Sequence, residues 1–299
     1  MRVDIQGKTR VLGIIGWPVA HSLSPLMQNA ACIELGLDYV YVPFPVAPGD
    51  LPKAVEGLRA LGVAGFNVTI PHKEAIIGLL DELSEEARLI GAVNTVKRDG
   101  DRLIGHNTDI TGLIKSLQDD LGFDVKGSRV VLLGAGGAAR AALVGLCQSG
   151  AASVTVANRT PAKGECLVAG FRSVFTGVNL ALCTLDILKG DRCLKDVDLL
   201  INTTAVGLNG TNFTDLDLAP MAPAARVYDM VYNPALTPLL VEARKHSLRS
   251  ANGAGMLAAQ GEAAFTIWTG CKPPNGLMKS RLLAALDGQD MLDNGVYSK

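Results

Sequence analysis

The sequence predicts an α/β protein of two domains. Short apolar runs alternate with helix-length amphipathic stretches over the first third of the chain, and the alternation restarts at Arg129. Gly and Pro stand at the joints between these runs. A chain of 299 residues is long enough for two modest cores.

The elements follow in order. Val11 to Ile15 is a strand ending at Gly16. Ser24-Pro25 reads as an N-cap followed by Pro at N1, opening a helix that stops at Gly36. Tyr39 to Val46 is the next strand, and Leu51 to Leu61 an amphipathic helix ending at Gly62. Gly65 to Ile70 is a third strand, and Pro71 is expected to open another helix. Asp99-Gly100, between two apolar runs, predicts a hairpin with Arg98 opposite Asp101 and Asn94 opposite Gly105. Asn94 is then close to Asn107, Thr108 and Asp109. A helix follows over Asp109 to Leu121, closed by Gly122. Strands are expected at Val130 to Leu133, Val154 to Ala157, Val197 to Asn202 and Val227 to Val231, with a helix reaching Ser149 between the first two. Gly253-Ala254-Gly255 reads as a flexible joint before a helical region over Met256 to Trp268, which is expected to return to the first domain. The expected domains are 1–108 with 254–299, and 109–253.

Composition narrows the function. Hydrophobic residues make up 48% and charged residues 19%, which excludes a disordered chain. The formal net charge of -1 gives no broad attraction to nucleic acid or an acidic membrane. No apolar run is long enough to span a bilayer. Met1-Arg2-Val3-Asp4 has an acidic residue and no apolar segment, so no signal peptide is expected and the location is read as cytoplasmic. The six cysteines form no C-x-x-C pair and the four histidines are scattered, so neither a metal site nor a disulfide framework is expected. Most of the cysteines are read as small buried hydrophobes.

The strand Val130 to Leu133 runs directly into Gly134-Ala135-Gly136-Gly137-Ala138-Ala139. Gly134 permits a tight turn, Gly136 lets backbone amides approach a pyrophosphate, and Ala139 keeps helix and strand close. The helix start then offers free N–H groups and the positive end of its dipole. This is the signature of a Rossmann-type dinucleotide site. After the second strand stand Asn158-Arg159-Thr160, with Lys163 one turn on. No carboxylate is there to take a ribose 2′-OH or repel a 2′-phosphate, and Arg159 can pair with phosphate. The expected cofactor is therefore NADP rather than NAD.

Three polar clusters follow expected strands in the first domain. They are His21-Ser22-Leu23-Ser24-Pro25, Asn67-Val68-Thr69-Ile70-Pro71-His72-Lys73, and Asn94-Thr95 with Asn107-Thr108-Asp109. Strand C-terminal ends are where open α/β sheets hold ligands. Hydroxyls, amides, one lysine and one carboxylate suit a small, polyhydroxylated, anionic molecule. Lys73, in the first turn of an expected helix, meets an unfavourable dipole, and Asp109 opposes this. Such a pair can supply charge and a proton to a ketone oxygen that receives hydride. His21 and His106 are read as loop supports, His72 as pointing away from Lys73, and Trp17, Phe66 and Trp268 as packing residues.

These motifs resemble the shikimate dehydrogenase family, which includes quinate/shikimate dehydrogenases. The resemblance rests on Gly16-x-Pro18, Ser22-x-Ser24-Pro25, Gly65-Phe66-Asn67-Val68-Thr69-Ile70-Pro71-x-Lys73, Gly91-Ala92-Val93-Asn94-Thr95 and Gly105-x-Asn107-Thr108-Asp109. It continues through Gly134-Ala135-Gly136-Gly137, Asn158-Arg159-Thr160, Asp229-x-x-Tyr232-x-Pro234 and Gly255-Met256-Leu257-x-x-Gln260-Gly261. It implies an N-terminal, mainly parallel α/β substrate domain and a Rossmann-type NADP-binding domain with a cleft between them. It also implies reversible, NADP-dependent reduction of 3-dehydroshikimate to shikimate in aromatic amino-acid biosynthesis. The roles implied are Lys73 and Asp109 as the catalytic pair and Ser22 and Ser24 on the substrate carboxylate with Tyr232 nearby. Thr69, Asn94 and Gln260 take ring hydroxyls. Gly134, Ala135, Gly136, Gly137, Ala138, Asn158, Arg159, Thr160, Lys163 and Gly253 hold the cofactor. The family often carries His where this chain has Gln28, a form also met in the quinate/shikimate branch. Quinate/shikimate dehydrogenase with NAD or NADP therefore remains an alternative, as does a noncatalytic metabolite-sensing module. The expected partners are small molecules only, and the expected state is a monomer or homodimer.

Overall fold

The structure is a computed structural model and describes residues 4–190 and 192–295. The chain forms two compact units, one running to Gly112 and resuming over Leu257–Gly288, the other covering Leu113–Met256 and resuming at Gln289. All three divisions fall inside helices, the first two in a first turn, so the chain passes between units within continuous helices.

The first unit opens with β1 (Arg10–Gly16), α1 (Ser24–Glu34), β2 (Tyr39–Pro45), α2 (Leu51–Ala60) and β3 (Gly65–Val68). It continues through β4 (Glu82–Leu83), α3 (Glu85–Ile90), β5 (Thr95–Asp99), β6 (Arg102–His106) and α4 (Asp109–Leu121). The sheet order is β2-β1-β3-β5-β6-β4. β1 pairs in parallel with β2 and β3, whereas β5 is antiparallel to β3 and β6. One core packs Ile15, Phe66, Val68, Val96 and Leu103 of the strands against Leu51, Val55 and Leu58 of α2. Each such buried side chain contributes about 1.5–3 kcal/mol relative to exposure. Trp268 is buried, and its indole N–H donates to Val96 O at 2.9 Å.

Four local expectations for this unit are corrected. Ser24 is the first residue of α1 rather than its N-cap, and no side chain caps that helix. Pro71 does not open a helix: Ile70–Pro71 is cis, and His72 N–H donates to Thr69 O at 2.9 Å, closing a tight turn. Only a 3-10 turn, Ala75–Leu79, follows, so the expected dipole at Lys73 does not exist. In the hairpin, Asp99 faces Arg102 and Arg98 faces Leu103, so Gly100-Asp101 is the loop rather than Asp99-Gly100. Gly100 has φ +60°, and a two-residue loop with Gly first meets that need directly. Trp17 is half exposed rather than packed, because its N–H to Ile70 O bond, at 3.0 Å, lies at the strand ends beyond the core.

The second unit comprises β7 (Arg129–Leu133), α5 (Gly137–Gln148), β8 (Ser153–Ala157), α6 (Pro161–Arg172) and β9 (Asn179–Cys183). Then come β10 (Leu199–Asn202), β11 (Val206–Asn209), β12 (Arg226–Asp229), α7 (Pro238–Lys245) and β13 (Arg249–Asn252). The sheet order is β13-β12-β10-β7-β8-β9, and every neighbouring pair is parallel. Taken in chain order from β7, this is the 3-2-1-4-5-6 arrangement of a Rossmann fold. One face packs Val131, Leu133, Leu200 and Val227 against Leu239, Leu240 and Ala243 of α7. α8 (Ala254–Thr269) and α9 (Leu277–Gly295) complete the chain.

Gly253 and Gly255 are not a flexible joint. Gly255 lies in the first turn of α8, and a Cβ there would overlap the Asp120 carboxylate. A Cβ on Gly253 would overlap the Met230 carbonyl. Close packing, not mobility, requires glycine at both positions. The cysteines are also less buried than expected: Cys32 and Cys147 are buried, Cys183 is intermediate, and Cys166, Cys193 and Cys271 are exposed. Among the described residues no helix is long and apolar enough to cross a membrane.

Candidate active site

The substrate-side cluster of the first unit is built from the C-terminal end of β3, the β5–β6 hairpin, the start of α4 and one turn of α8. The β5–β6 register brings Thr95 opposite His106, and the Asn94 N–H donates to His106 O at 3.1 Å. The residues before β5 and after β6 are thereby set side by side. Asn94 is 3% exposed and Asp109 is 2% exposed, so both must satisfy their polar groups inside the protein. The Asn94 carbonyl oxygen accepts from Thr108 N–H at 2.8 Å and from the Thr95 hydroxyl at 2.9 Å. Its amide nitrogen lies 2.9 Å from Asp109 Oδ1, 3.0 Å from Thr108 Oγ1 and 3.1 Å from Gln260 Oε1. Two N–H bonds face three acceptors, so Asn94 cannot satisfy all three at once.

The other carboxylate oxygen of Asp109 accepts from Lys73 Nζ at 2.6 Å. Asp109 N–H donates to Asn107 Oδ1 at 2.9 Å, and Asn107 Nδ2 donates to Ala92 O at 3.0 Å. As the first residue of α4, the carboxylate also sits at the favourable end of the helix dipole. The Lys73 side chain is 18% exposed, so its amine is held on the buried carboxylate yet reachable from outside. Lys73 O accepts from Val93 N–H at 2.8 Å, which ties the lysine backbone to the residue before Asn94. His72 is buried and its Nε2 lies 2.7 Å from Val46 O.

A second chain of hydrogen bonds runs from this cluster toward the serines. Ser24 N–H donates to Ser22 Oγ at 3.3 Å, and the Ser24 side chain lies beside the Tyr41 phenol. Burial pushes that phenol well above the ordinary tyrosine range. The phenol donates to Asn67 Oδ1 at 2.7 Å, and Asn67 Nδ2 donates to Asn94 O at 3.0 Å. Tyr41, Asn67, Asn94, Asp109, Lys73 and Gln260 therefore belong to one connected polar system, with Ser22 and Ser24 beside its Tyr41 end. Thr69 follows β3, with Thr69 N–H donating to Ile15 O at 3.0 Å. Tyr232 belongs to the second unit, after β12, where burial raises its phenol.

In the second unit, Gly134 has φ +109°, and a Cβ there would come within 2.7 Å of Thr203 Oγ1. Glycine is thus required both for the turn and for the approach of the β10 loop. Gly136 precedes α5 with no side-chain cap, and nothing lies within 4 Å of where its Cβ would stand. The first N–H groups of α5 have no side-chain cap and the space beside Gly136 is clear, an arrangement that suits a pyrophosphate. Ala139 is fully buried. Asn158 Nδ2 donates to Thr160 O at 2.8 Å and braces the turn after β8. Arg159 and Lys163 are exposed on it and form no ion pair with a carboxylate among the described residues. An uncapped helix start, a side-chain-free approach and two unpaired cations fit a dinucleotide carrying a 2′-phosphate. Gly253 lies at the end of β13, on the same sheet edge as Gly134.

Comparison with known proteins agrees with this geometry. Residues 14–96 match the shikimate dehydrogenase substrate binding domain, residues 115–212 the shikimate / quinate 5-dehydrogenase model, and residues 253–283 the shikimate 5′-dehydrogenase C-terminal domain. The chain is 62% identical over 284 residues to shikimate dehydrogenase (NADP(+)) of Geobacter metallireducens, covering 95% of this chain and 99% of that protein. The chain belongs to the shikimate dehydrogenase family. A crystal structure of a shikimate dehydrogenase in complex with NADP+ matches with TM-score 0.87 and 41% identity over 95% of this chain and 98% of that one. The Thermus thermophilus enzyme in complex with NADP(H) and shikimate matches with TM-score 0.82 and 36% identity, over 93% and 100% of the two chains.

In this member of the shikimate dehydrogenase family, some residues of the site escape motif reading. Asn67, Thr95, Asn107 and Thr108 stand in the polar clusters of the sequence, but their roles as hinges of the Asn94–Asp109 network emerge only from the β5–β6 register. Tyr41 carries one available signal, a tyrosine in a strand whose fully buried hydroxyl needs a partner. Thr203, whose hydroxyl donates to Leu133 O at 2.6 Å beside Gly134, carries none.

Proposed function

We propose that this protein catalyses the reversible, NADP-dependent reduction of 3-dehydroshikimate to shikimate, a step of aromatic amino-acid biosynthesis. The observation that carries the reading is the Lys73–Asp109 pair at 2.6 Å, fixed from its other side by Asn94. Gly134 to Ala138 and the first turn of α5 hold the pyrophosphate of the cofactor. Asn158, Arg159, Thr160 and Lys163 hold its 2′-phosphate end. When bound, NADPH supplies the hydride.

Hydride arriving at a ketone carbon leaves negative charge on oxygen. Lys73 faces that oxygen, stabilises the charge and gives it a proton, producing the alcohol. Asp109 holds the amine in place and favours its reprotonation. In the reverse direction Lys73 takes the proton from the hydroxyl. Asn94, Gln260 and Thr69 bind ring hydroxyls. Ser22 and Ser24 donate to the substrate carboxylate, with Tyr232 assisting. The units divide the work accordingly, with substrate on the first and cofactor on the second. The protein acts in the cytoplasm, as a monomer or homodimer.

The test is a set of initial rates with purified protein over shikimate and quinate, each with NADP and NAD. Shikimate with NADP is expected to give the highest kcat/KM. Comparable rates on quinate would move the reading to a quinate/shikimate dehydrogenase. Absence of turnover in all four arms would overturn it in favour of a noncatalytic role.

A further inference from the structure

Gly16 ends β1 and is not among the glycines with positive φ, so its torsion angles would accept any residue. Space, not torsion, excludes a side chain there. A Cβ on Gly16 would overlap Cγ2 of Thr69 and come within 3.3 Å of Ile70 O. The backbone around it cannot readily yield. Gly16 O accepts from Val46 N–H at 3.0 Å, Thr69 N–H donates to Ile15 O at 3.0 Å, and Trp17 N–H donates to Ile70 O at 3.0 Å. These bonds stitch β1 to the turns on both sides, so the Thr69 methyl group must give way if anything does. Threonine is branched at Cβ, and its methyl and hydroxyl turn together about one bond. Moving the methyl therefore moves the hydroxyl.

We propose that Gly16 is a positioning residue for substrate binding: its missing side chain is the seat of the Thr69 methyl group, and that seat aims the Thr69 hydroxyl at a ring hydroxyl of the substrate. The inference rests on the assignment of Thr69 as a substrate ligand. Gly16 touches no reacting atom and acts only through Thr69. Its removal is expected to change substrate KM while leaving Lys73, Asp109 and the cofactor turn as they are.

The decisive experiment transfers one methyl group. Gly16→Ala places a methyl where the Thr69 methyl sits. Thr69→Ser removes that methyl and keeps the hydroxyl. The double variant restores the original volume with the methyl on the other residue. Steady-state kinetics, thermal denaturation and a crystal structure are measured for the wild type, both single variants, the double variant and Thr69→Val, which keeps the methyl and loses the hydroxyl. Gly16→Ala is expected to raise substrate KM by roughly tenfold, the equivalent of one hydrogen bond, with kcat and cofactor KM nearly unchanged and a rotated Thr69. Gly16→Ala/Thr69→Ser is expected to return to the KM of Thr69→Ser alone.

A normal KM for Gly16→Ala, or a double variant no better than Gly16→Ala, would overturn the proposal. If Gly16→Ala fails to fold, a folded double variant with the KM of Thr69→Ser supports it, and a double variant that also fails to fold overturns it. The Thr69→Val arm separates the two claims. A normal KM there removes Thr69 from the substrate ligands, whatever the rotamer seen in Gly16→Ala.

Discussion

Asp109 in the first unit and Gly136 in the second sit at two sites of opposite construction. Side chains from three separate stretches converge on Asp109, with Lys73 on one oxygen, Asn94 on the other and Asn107 on its N–H. Around Gly136 the protein leaves a space where a side chain would begin, an uncapped helix start and two exposed cations nearby. The first arrangement sets a reacting group before any ligand arrives, which is what a transition state with developing charge requires. The second lets backbone N–H groups approach a polyanion and leaves specificity to Arg159 and Lys163. Damage to the first should therefore appear in chemistry and stability together, and damage to the second in cofactor affinity alone.

The largest expected effect is at the amine. Lys73→Ala should lower kcat by roughly 10²–10⁴-fold, the ordinary worth of a positioned proton donor. NADPH affinity, measured by fluorescence titration, should hardly change. Turnover close to normal would remove Lys73 from the mechanism and dissolve the contrast between the two sites.

Asn94→Ala comes next. It removes the Asn94 bonds to Asp109 Oδ1 and to Thr108 N–H, at about 1–3 kcal/mol for each group left unsatisfied. Thermal denaturation should show a clear fall in Tm, and kcat/KM should drop by more than about tenfold. A variant of full stability with only a KM defect would mean that the network is not preorganised.

Two smaller effects belong to the cofactor site. Arg159→Ala should weaken NADPH binding by roughly 10–100-fold, since a hydrogen bond to a charged group contributes about 1.5–3 kcal/mol. NADH binding should be unaffected, and equal losses for both nucleotides would show that Arg159 does not read the 2′-phosphate. Gly136→Ala should cost roughly tenfold in NADPH affinity. Its stability should stay within about 0.5 kcal/mol, because the new methyl enters open space. A large loss of Tm would show instead that Gly136 is held by the fold.

The same contrast explains what was legible in the sequence. The cofactor turn is contiguous, and its strand, glycines and helix follow one another along the chain, so local pattern suffices. α4 was equally plain, with Asp109 at its start and Gly122, at φ +58°, just past its end. Lys73 and Asp109 were readable as candidates, but their geometry was not. The local pattern placed Lys73 in a helix, while the structure places it after a tight turn, where a lysine can lie across the sheet edge toward Asp109. The hairpin was visible from Asp99-Gly100, yet its register was not. The choice between Asp-Gly and Gly-Asp as the loop depends on which residue adopts positive φ. The sequence expectations do not extend to β4, α3, α6, β9, β11, α7, β13 or α9. β9 and β13 lie at sheet edges, where a short strand needs few apolar residues to be held. Gly253 and Gly255 show the limit most clearly, since a glycine that yields space to Met230 or Asp120 looks in sequence like a hinge.

The most direct test of the central claim follows the hydride itself. NADPH deuterated at the transferring position of nicotinamide C4 is incubated with 3-dehydroshikimate and the wild-type protein, and the product is read by mass spectrometry and NMR. One deuterium should appear on ring carbon C3 of shikimate, and Lys73→Ala should place it on the same carbon far more slowly. Deuterium at another carbon, or a product carrying none, would contradict the account.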